Sequence, residues 1–159
     1  MPRGGRSTKK RKITPDPVYK SQLLAKFINR MMQSGKKTVA QKEMYEALEY
    51  IKKQEFDPIK VFETAIDNVG PKVEVRPRRI GGAAYQIPVE VRGERRTSLA
   101  KRWLLESARK RSSKDYHSFS QKLAAEFIDA NKNLGEAIRK RDIVYKMAEA
   151  NKAFAHFRW

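Results

Sequence analysis

The sequence contains no cysteine, and it also lacks long apolar runs. Disulfide bonds and thiolate metal sites both require cysteine, so both are excluded for this 159-residue chain. No apolar run approaches the roughly 18 residues that a membrane-spanning helix needs. The N-terminal residues have no hydrophobic segment, so we expect no secretory signal there. A chain of this length is expected to hold one domain and no membrane anchor.

Acidic residues are scarce relative to basic ones, 18 against 36, and the formal net charge is +18. Self-repulsion on this scale disfavours a compact chain unless a polyanion relieves it. The charge is also clustered: the net value is +6 in residues 1–12, +4 in 13–37, −3 in 38–70, +9 in 72–114 and +2 in 115–159. Such asymmetry is typical of a one-sided footprint for a polyanion. We therefore expect nucleic acid as the partner, with an anionic membrane surface as the weaker candidate.

The first 13 residues have no apolar periodicity and no acid, which predicts a basic, extended N-terminal tail before a single domain at residues 14–159. Such a tail is expected to order only along phosphates. It weakly resembles an organellar transit peptide, but its Gly and Pro content does not favour the amphipathic helix that such a peptide forms. The tail contributes these candidate RNA contacts: Arg3, Arg6, Lys9, Lys10, Arg11 and Lys12.

Apolar residues recur at helical spacing in the domain, which predicts about six helices. The first is predicted to begin with Asp16 as N-cap and Pro17 in the first turn, and to stop at Gly35. Ser118 and Asn133 each stand three residues before Gln or Glu, as in capping boxes that open the fifth and sixth helices. The predicted stripes are Leu24, Phe27, Ile28, Met31; Ala40, Met44, Ala47, Leu48, Ile51; Ile59, Phe62, Ile66, Val69; Ala100, Trp103, Leu104, Ser107, Ala108; Leu123, Ala124, Phe127, Ile128; and Ala137, Val144, Ala148.

The stretch VEVRPRRIGGAAYQIPVEV, residues 73–91, alternates apolar and polar residues at both ends. This pattern predicts an antiparallel β-hairpin at about residues 72–91. Pro77 and Pro88 each remove a ladder donor, so both strands are predicted to be edges. Because a two-stranded ribbon is only marginally stable alone, its base is expected to lean on helices while its tip projects. The predicted fold is mainly α, a helical bundle with one projecting hairpin arm.

The sequence offers no convergent set of catalytic residues. The segment Gly35-Lys36-Lys37-Thr38 resembles the end of a phosphate-binding P-loop, but Arg30 stands where that motif requires its first glycine. His117 and His156 are far apart, and neither has carboxylates at metal-ligand spacing. We expect a non-enzymatic protein without cofactor or metal. A DNA-compacting protein and an RNA-modifying enzyme stay as alternatives, although the absence of a helix-turn-helix or zinc-finger pattern favours RNA over DNA.

Arginine and glycine at the hairpin turn are the strongest candidates for RNA contact. A guanidinium presents five donors in a planar fork that suits phosphate oxygens and also stacks on bases. Gly81 and Gly82 permit a tight turn and a close approach of backbone N–H groups to a phosphate. Lys36 and Lys37 are expected at the end of the first helix, where they either stabilise that helix locally or contact phosphate. The candidates within the domain are Lys36, Lys37, Lys72, Arg76, Arg78, Arg79, Arg95, Arg96, Arg102, Arg109 and Arg111.

Several motifs along the chain resemble one known family. They are Asp16-Pro17-x-Tyr19, Lys26-Phe27-Ile28-Asn29, Gly35-Lys36-Lys37, Tyr45-x-Ala47-Leu48, Asn68-Val69-x-Pro71, the hairpin from Val75 to Val89, and the C-terminal run from Met147 to Trp159. Together they closely resemble the bacterial-type small-subunit ribosomal protein seven family, from about Gly5 to Trp159. Glu43, where many members carry an apolar residue, and the stretch from Lys114 to Ser120 depart from the family pattern.

The resemblance implies a six-helix fold with a β-ribbon arm and a location in the small ribosomal subunit. A cytoplasmic ribosome is expected, with an organellar ribosome as the weaker alternative. It implies binding to the 3′ major domain of the small-subunit ribosomal RNA and nucleation of head assembly. It implies contact with exit-site transfer RNA through Arg78, Arg79, Gly81 and Gly82, with messenger RNA nearby. It also implies small-subunit proteins nine and eleven as neighbours.

Overall fold

The computed structural model describes residues 13–157, which form six α-helices, one two-stranded sheet and a short C-terminal 3₁₀ helix. The elements in chain order are α1 Gln22–Met31, α2 Lys37–Lys53, α3 Pro58–Val69, β1 Val73–Ile80, β2 Ala83–Glu90, α4 Gly93–Lys110, α5 Phe119–Asn131, α6 Glu136–Ala150 and the 3₁₀ helix Lys152–Phe157. The predicted helical bundle with a single hairpin is confirmed. The tail, apart from Ile13, lies outside the described residues, so the division into tail and domain stays a prediction.

Three phenylalanines from three helices form the centre of the core. Phe27 of α1, Phe62 of α3 and Phe127 of α5 are fully buried, and their ring centroids lie 5.4–5.5 Å apart. Two of the three pairs meet edge to face, the arrangement that the aromatic quadrupole favours. The apolar stripes predicted from helical spacing supply most of the surrounding core, with Ile59, Trp103 and Ile128 packed at its margin.

The predicted N-cap of α1, Asp16, is wrong by five residues. Asp16 does cap backbone N–H groups, accepting from Val18 and Tyr19 at 3.1 Å each, but it caps a turn that precedes the helix. The N-cap of α1 is Ser21, whose Oγ accepts from the backbone N–H of Leu24. The buried Asp16 also accepts a 2.8 Å hydrogen bond from the Tyr45 hydroxyl. Burial and this hydrogen bond raise the pKa of Tyr45 to about 12. The hydrogen bond also attaches the turn to α2.

Lys36 and Lys37 lie at the start of α2 and not, as predicted, at the end of α1. The first helix ends at Met31, and the chain turns through Gly35, whose φ of +73° is in the left-handed region. Lys36 is the N-cap of α2 and Lys37 its first residue. The dipole of a helix disfavours cations at this end, so local helix stabilisation does not explain these two lysines.

The acidic face of α2 contacts another part of the chain. Glu43 accepts from the backbone N–H of Ser120 at 3.0 Å, and Glu46 accepts from the Ser120 hydroxyl at 3.2 Å. Both carboxylates therefore bind the N-terminus of α5, where Ser118 is the N-cap as predicted. Glu43 and the segment before α5, the two departures from the family pattern, thus contact each other.

The start of α6 also differs from its predicted capping box. Gly135, with a φ of +92°, is the N-cap, and Asn133 makes no cap. The Asn133 side chain accepts from Arg141, while the carboxylate of Glu126 in α5 accepts from the backbone N–H of Ala137 at 3.1 Å. A carboxylate distant in sequence therefore caps α6, and local spacing does not reveal it.

The hairpin pairs β1 with β2 in antiparallel register from Val73 opposite Glu90 to Ile80 opposite Ala83. Successive side chains of a strand point to opposite faces, so Val75 and Ile87 lie on different faces of the ribbon. The base is anchored by burial of Ile87 and by a 2.9 Å hydrogen bond from the backbone N–H of Lys72 to the Tyr145 hydroxyl of α6. Beyond this base, residues 76–79 and 81–84 are exposed, so the arm projects as predicted.

Candidate nucleic-acid interface

The tip of the arm presents arginine on both of its faces. Arg78 is opposite Tyr85 and Arg79 is opposite Ala84, so the two guanidinium groups lie on different faces of the ribbon. Both side chains are exposed, and neither pairs with an acid among residues 13–157. A strand of nucleic acid on either side of the tip would therefore meet an uncompensated cation.

The turn between the strands requires glycine because of its backbone angles. Gly81 has a φ of +57° and Gly82 a φ of +87°, the pair of left-handed residues that a two-residue hairpin loop of type I′ needs. A Cβ atom at either position would meet no described atom within 4 Å. The turn is therefore open on its outer side, and its backbone is accessible to a ligand.

Glu74 is a buried anion that holds two of the predicted contact arginines at the base of the arm. It accepts from Arg76 Nε at 2.5 Å and from Arg95 Nε at 2.8 Å, and this second contact ties the arm to the start of α4. About half of each guanidinium-bearing side chain stays exposed. Arg76 and Arg95 thus have a structural role that leaves surface for RNA, and together with Glu74 they carry a net charge of +1.

The C-terminal 3₁₀ helix packs along β2. The rings of Tyr85 and Phe154 lie 5.2 Å apart between centroids, on the face of the ribbon that also carries Arg78. The sequence left the C-terminal aromatics undecided between packing and RNA contact, and Phe154 packs. The arm and the C-terminal segment therefore form one structural unit.

One flank of α4 carries arginine at every seventh residue, at Arg95, Arg102 and Arg109. Arg102 and Arg109 are exposed, and within the described residues neither makes a direct ion pair, although the charge of Arg102 helps to lower the pKa of Glu106 one turn further along α4. Arg96 differs, because its guanidinium donates to the carbonyl groups of Gly70 at 3.0 Å and Asp67 at 2.7 Å. It thereby satisfies carbonyl groups at the C-terminal end of α3, where a cation is favoured by the helix dipole.

The Arg111 side chain is largely buried and is paired within the fold. Its guanidinium donates to Glu126 at 2.7 Å, to Asp129 and to the Tyr116 hydroxyl. Burial alone would lower the pKa of Arg111, but the hydrogen bonds to Asp129 and Glu126 outweigh it and raise that pKa. This network joins the end of α4 to α5, and its role as an RNA contact stays a prediction.

Three further cations, which the sequence did not single out, lie together between α1 and α4. Burial lowers the pKa of Lys101, and the positive charges of Lys26 and Arg30 lower it further. A nearby like charge disfavours the protonated form, so the contribution of Lys26 and Arg30, which is smaller than that of burial, indicates that the three cations are close together. Lys26 and Arg30 are spaced i, i+4 beside the apolar stripe of α1, a signal that could have found them. We call the surface formed by Lys26, Arg30 and Lys101 the α1–α4 face.

The remaining predicted positions within the domain lie at its surface. Lys36, Lys37 and Lys72 are exposed, whereas the cations of residues 1–12 lie outside the described part of the chain. Between residues 13 and 157 no group of three or more His, Asp or Glu side chains is arranged to hold a metal ion. Over the same residues no helix is long and apolar enough to cross a bilayer.

Comparison with known proteins gives consistent similarities. Residues 2–152 match the family model described as Ribosomal protein S7p/S5e. The chain is 53% identical to the small ribosomal subunit protein uS7 of Halorhodospira halophila, over the full length of both chains. It is 55% identical to the uS7 of a Thermoanaerobacter species and 54% identical to that of Acidithiobacillus ferrooxidans, again over the full length of both.

Proposed function

The chain belongs to the ribosomal protein S7p/S5e family, and from this premise we propose that it binds the 3′ major domain of small-subunit ribosomal RNA and nucleates assembly of the head. The family is one of structural ribosomal proteins and is not an enzyme family. We further propose that the arm contacts transfer RNA at the exit site, near messenger RNA and beside small-subunit proteins nine and eleven. The proposed location is a cytoplasmic ribosome of bacterial type.

The observation that carries this proposal is the contrast between paired acids and unpaired arginines. Glu43, Glu46, Glu74 and Glu126 each bind a group of the chain itself. Several exposed cations have no such partner among the described residues, namely Arg78, Arg79 and Arg109. Uncompensated cations on a projecting arm and on α4 favour contact with the phosphate backbone of a folded RNA.

The proposal for ribosomal RNA is tested by filter binding to a transcript of the 3′ major domain, with an equally long transcript from another ribosomal RNA domain as control. If about six to ten phosphates are contacted, affinity falls roughly 10³–10⁵-fold between 50 and 200 mM salt. A flat salt response, or equal affinity for both transcripts, contradicts the proposal. Competition with duplex DNA separates it from a DNA-compacting role.

The proposal for the arm is tested by the double variant Arg78→Ala/Arg79→Ala. We expect reconstituted subunits to assemble, because both side chains are exposed near the tip of the arm and make no ion pair with the rest of the described chain, and to retain less deacylated transfer RNA in the exit site. The matched control is Lys52→Ala/Lys53→Ala, which removes two adjacent cations at the end of α2, in the acidic segment. Failure of assembly with the arm variant would make the arm an assembly element instead.

A further inference from the structure

A cavity of about 280 Å³ opens between the start of α2, the end of α4 and the start of α5. The apolar part of its wall includes Met31, Val39 and the half-buried ring of Phe119, and the rest of the lining is polar or charged. Val39, in the first turn of α2, is 54% exposed. The volume lies just below the ~300–1,000 Å³ of typical small-molecule pockets, so the cavity suits one flat ring system.

The rim of this cavity is cationic. Lys36 and Arg109 line it, both are exposed, and neither is paired with an acid within the described residues. Glu43 also lines it, but one of its oxygens is engaged by the backbone N–H of Ser120. No described side chain caps α2 at Lys36, and its first turn holds no acid, so the helix dipole adds positive potential on the same side.

We infer that this cavity takes a single unstacked base of the ribosomal RNA, with the adjoining phosphate held between Lys36 and Arg109. The inference rests on the proposed function and adds a mode of recognition to it. Apolar and aromatic walls accept a base by its face, whatever its identity, while cations at the mouth neutralise the backbone that leads to it. A protein side chain would not need two unpaired cations at the mouth, so the charge favours RNA as the occupant.

The test blocks the mouth of the cavity with a large side chain introduced at an exposed residue of its lining. Val39→Trp places an indole over the cavity without changing the core, and Val18→Trp is the matched control, because Val18 is 61% exposed in the turn before α1. Circular dichroism and thermal melting establish that both variants are folded. Each full-length protein is then titrated with the 3′ major domain transcript, and the complexes are probed with dimethyl sulfate and a carbodiimide at Watson–Crick edges.

We expect Val39→Trp to raise Kd about tenfold or more, since stacking of one base contributes on that scale. One or two bases protected by the wild-type protein should become reactive again, while Val18→Trp matches the wild type. If Val39→Trp also matches the wild type, the inference is overturned and RNA binding stands. If affinity falls but no base regains reactivity, the contact is to the backbone, and base insertion is likewise overturned. If the wild-type protein does not prefer this transcript, the proposed function itself fails.

The phosphate part of the inference has a test of its own. Removing one cation from a phosphate contact should reduce the slope of log affinity against log salt by about one. Arg109→Gln is therefore expected to flatten the slope measured with the same transcript. An unchanged slope would overturn the assignment of a phosphate to this rim.

Discussion

Two arginines two residues apart in sequence have opposite environments at the end of α4. Arg109 is exposed at the cavity rim, whereas Arg111 is only 17% exposed and pairs with Glu126, which is 1% exposed. A carboxylate this deeply buried is stable as an anion only while it keeps its partner. Arg111 therefore stabilises the fold, whereas Arg109 makes no ion pair within the described residues and is available for the proposed RNA contact.

We predict that Arg111→Met lowers the free energy of unfolding by about 3 kcal/mol, because it leaves Glu126 buried without a cation. The lower end of the ~3–5 kcal/mol range applies since Asp129 stays 39% exposed and can be solvated. Urea denaturation measures the change. The matched variant Arg109→Met should stay within about 0.5 kcal/mol of wild type and should instead weaken RNA binding. Equal losses of stability in the two variants would contradict the assignment of Arg111 to the fold and of Arg109 to RNA binding.

Lys101 provides a second prediction at the residue scale. Its pKa is lowered by burial and by Lys26 and Arg30, so the pH dependence of its acylation should have a midpoint below the ordinary lysine value of about 10.4. The rate of acylation at Lys101 is measured by mass spectrometry over a pH series. The accessibility of the amine scales the rate equally at every pH, so it does not affect the midpoint. Arg30→Gln should raise the midpoint, and bound RNA should raise it further, because phosphates favour the charged amine. A midpoint that RNA does not move would place the α1–α4 face outside the RNA interface.

At the scale of elements, the arm depends on a segment more than 60 residues further along the chain. A two-stranded ribbon is marginally stable alone, and here β2 is supported by the 3₁₀ helix through Tyr85 and Phe154. The same ribbon is fastened to α4 by Arg95 and Glu74. Orientation of the arm is therefore set by the Arg95–Glu74 contact at its base and by the packing of Tyr85, nearer the tip, on Phe154.

We predict that Phe154→Ala accelerates amide hydrogen exchange in β1 and β2 about two- to tenfold, the equivalent of an aromatic pair worth ~0.5–1.5 kcal/mol. Exchange in α1, α3 and α5 should be unchanged, since the phenylalanine core is separate. Phe56→Ala, which truncates a ring that is 39% exposed after α2, is the control. Unchanged exchange in the strands would mean that the 3₁₀ helix does not support the arm.

The elements show which kind of information the sequence carried. Helical stripes and the hairpin were predictable because burial imposes spacings of 3.6 and 2 on residues close in sequence. The starts of α1 and α6 were mispredicted because Asp16 and Asn133 had a suitable type and spacing, while Ser21 and the distant Glu126 make the caps. Lys36 and Lys37 were assigned to the wrong helix end because Gly35 can stop one helix or precede another. The ion pairs of Glu74 and Glu126 could not be predicted, because their partners lie on other elements. The cavity could not be predicted either, because its lining residues come from helices that are separate in sequence.

At the scale of the whole molecule, the net charge of +18 destabilises the free protein but favours its binding to RNA. In the free protein it destabilises the compact state through self-repulsion, which dissolved salt screens over about 10 Å at 0.1 M. In the complex the same cations displace counterions from RNA, and salt opposes that exchange. Stability and affinity should therefore respond to salt with opposite signs.

We predict that raising sodium chloride from 50 to 500 mM increases the Tm of the free protein by about 2–4 °C, which corresponds to roughly 1 kcal/mol in a domain of this size. Over the same range the affinity for the 3′ major domain transcript should fall steeply. The variant Arg102→Gln/Arg109→Gln, which removes two exposed charges from α4, should show a smaller gain in Tm and a flatter loss of affinity. Differential scanning calorimetry and filter binding on one preparation measure both. A Tm that falls as sodium chloride rises would mean that the ion pairs of Glu74 and Glu126 stabilise the fold by more than the surface cations destabilise it.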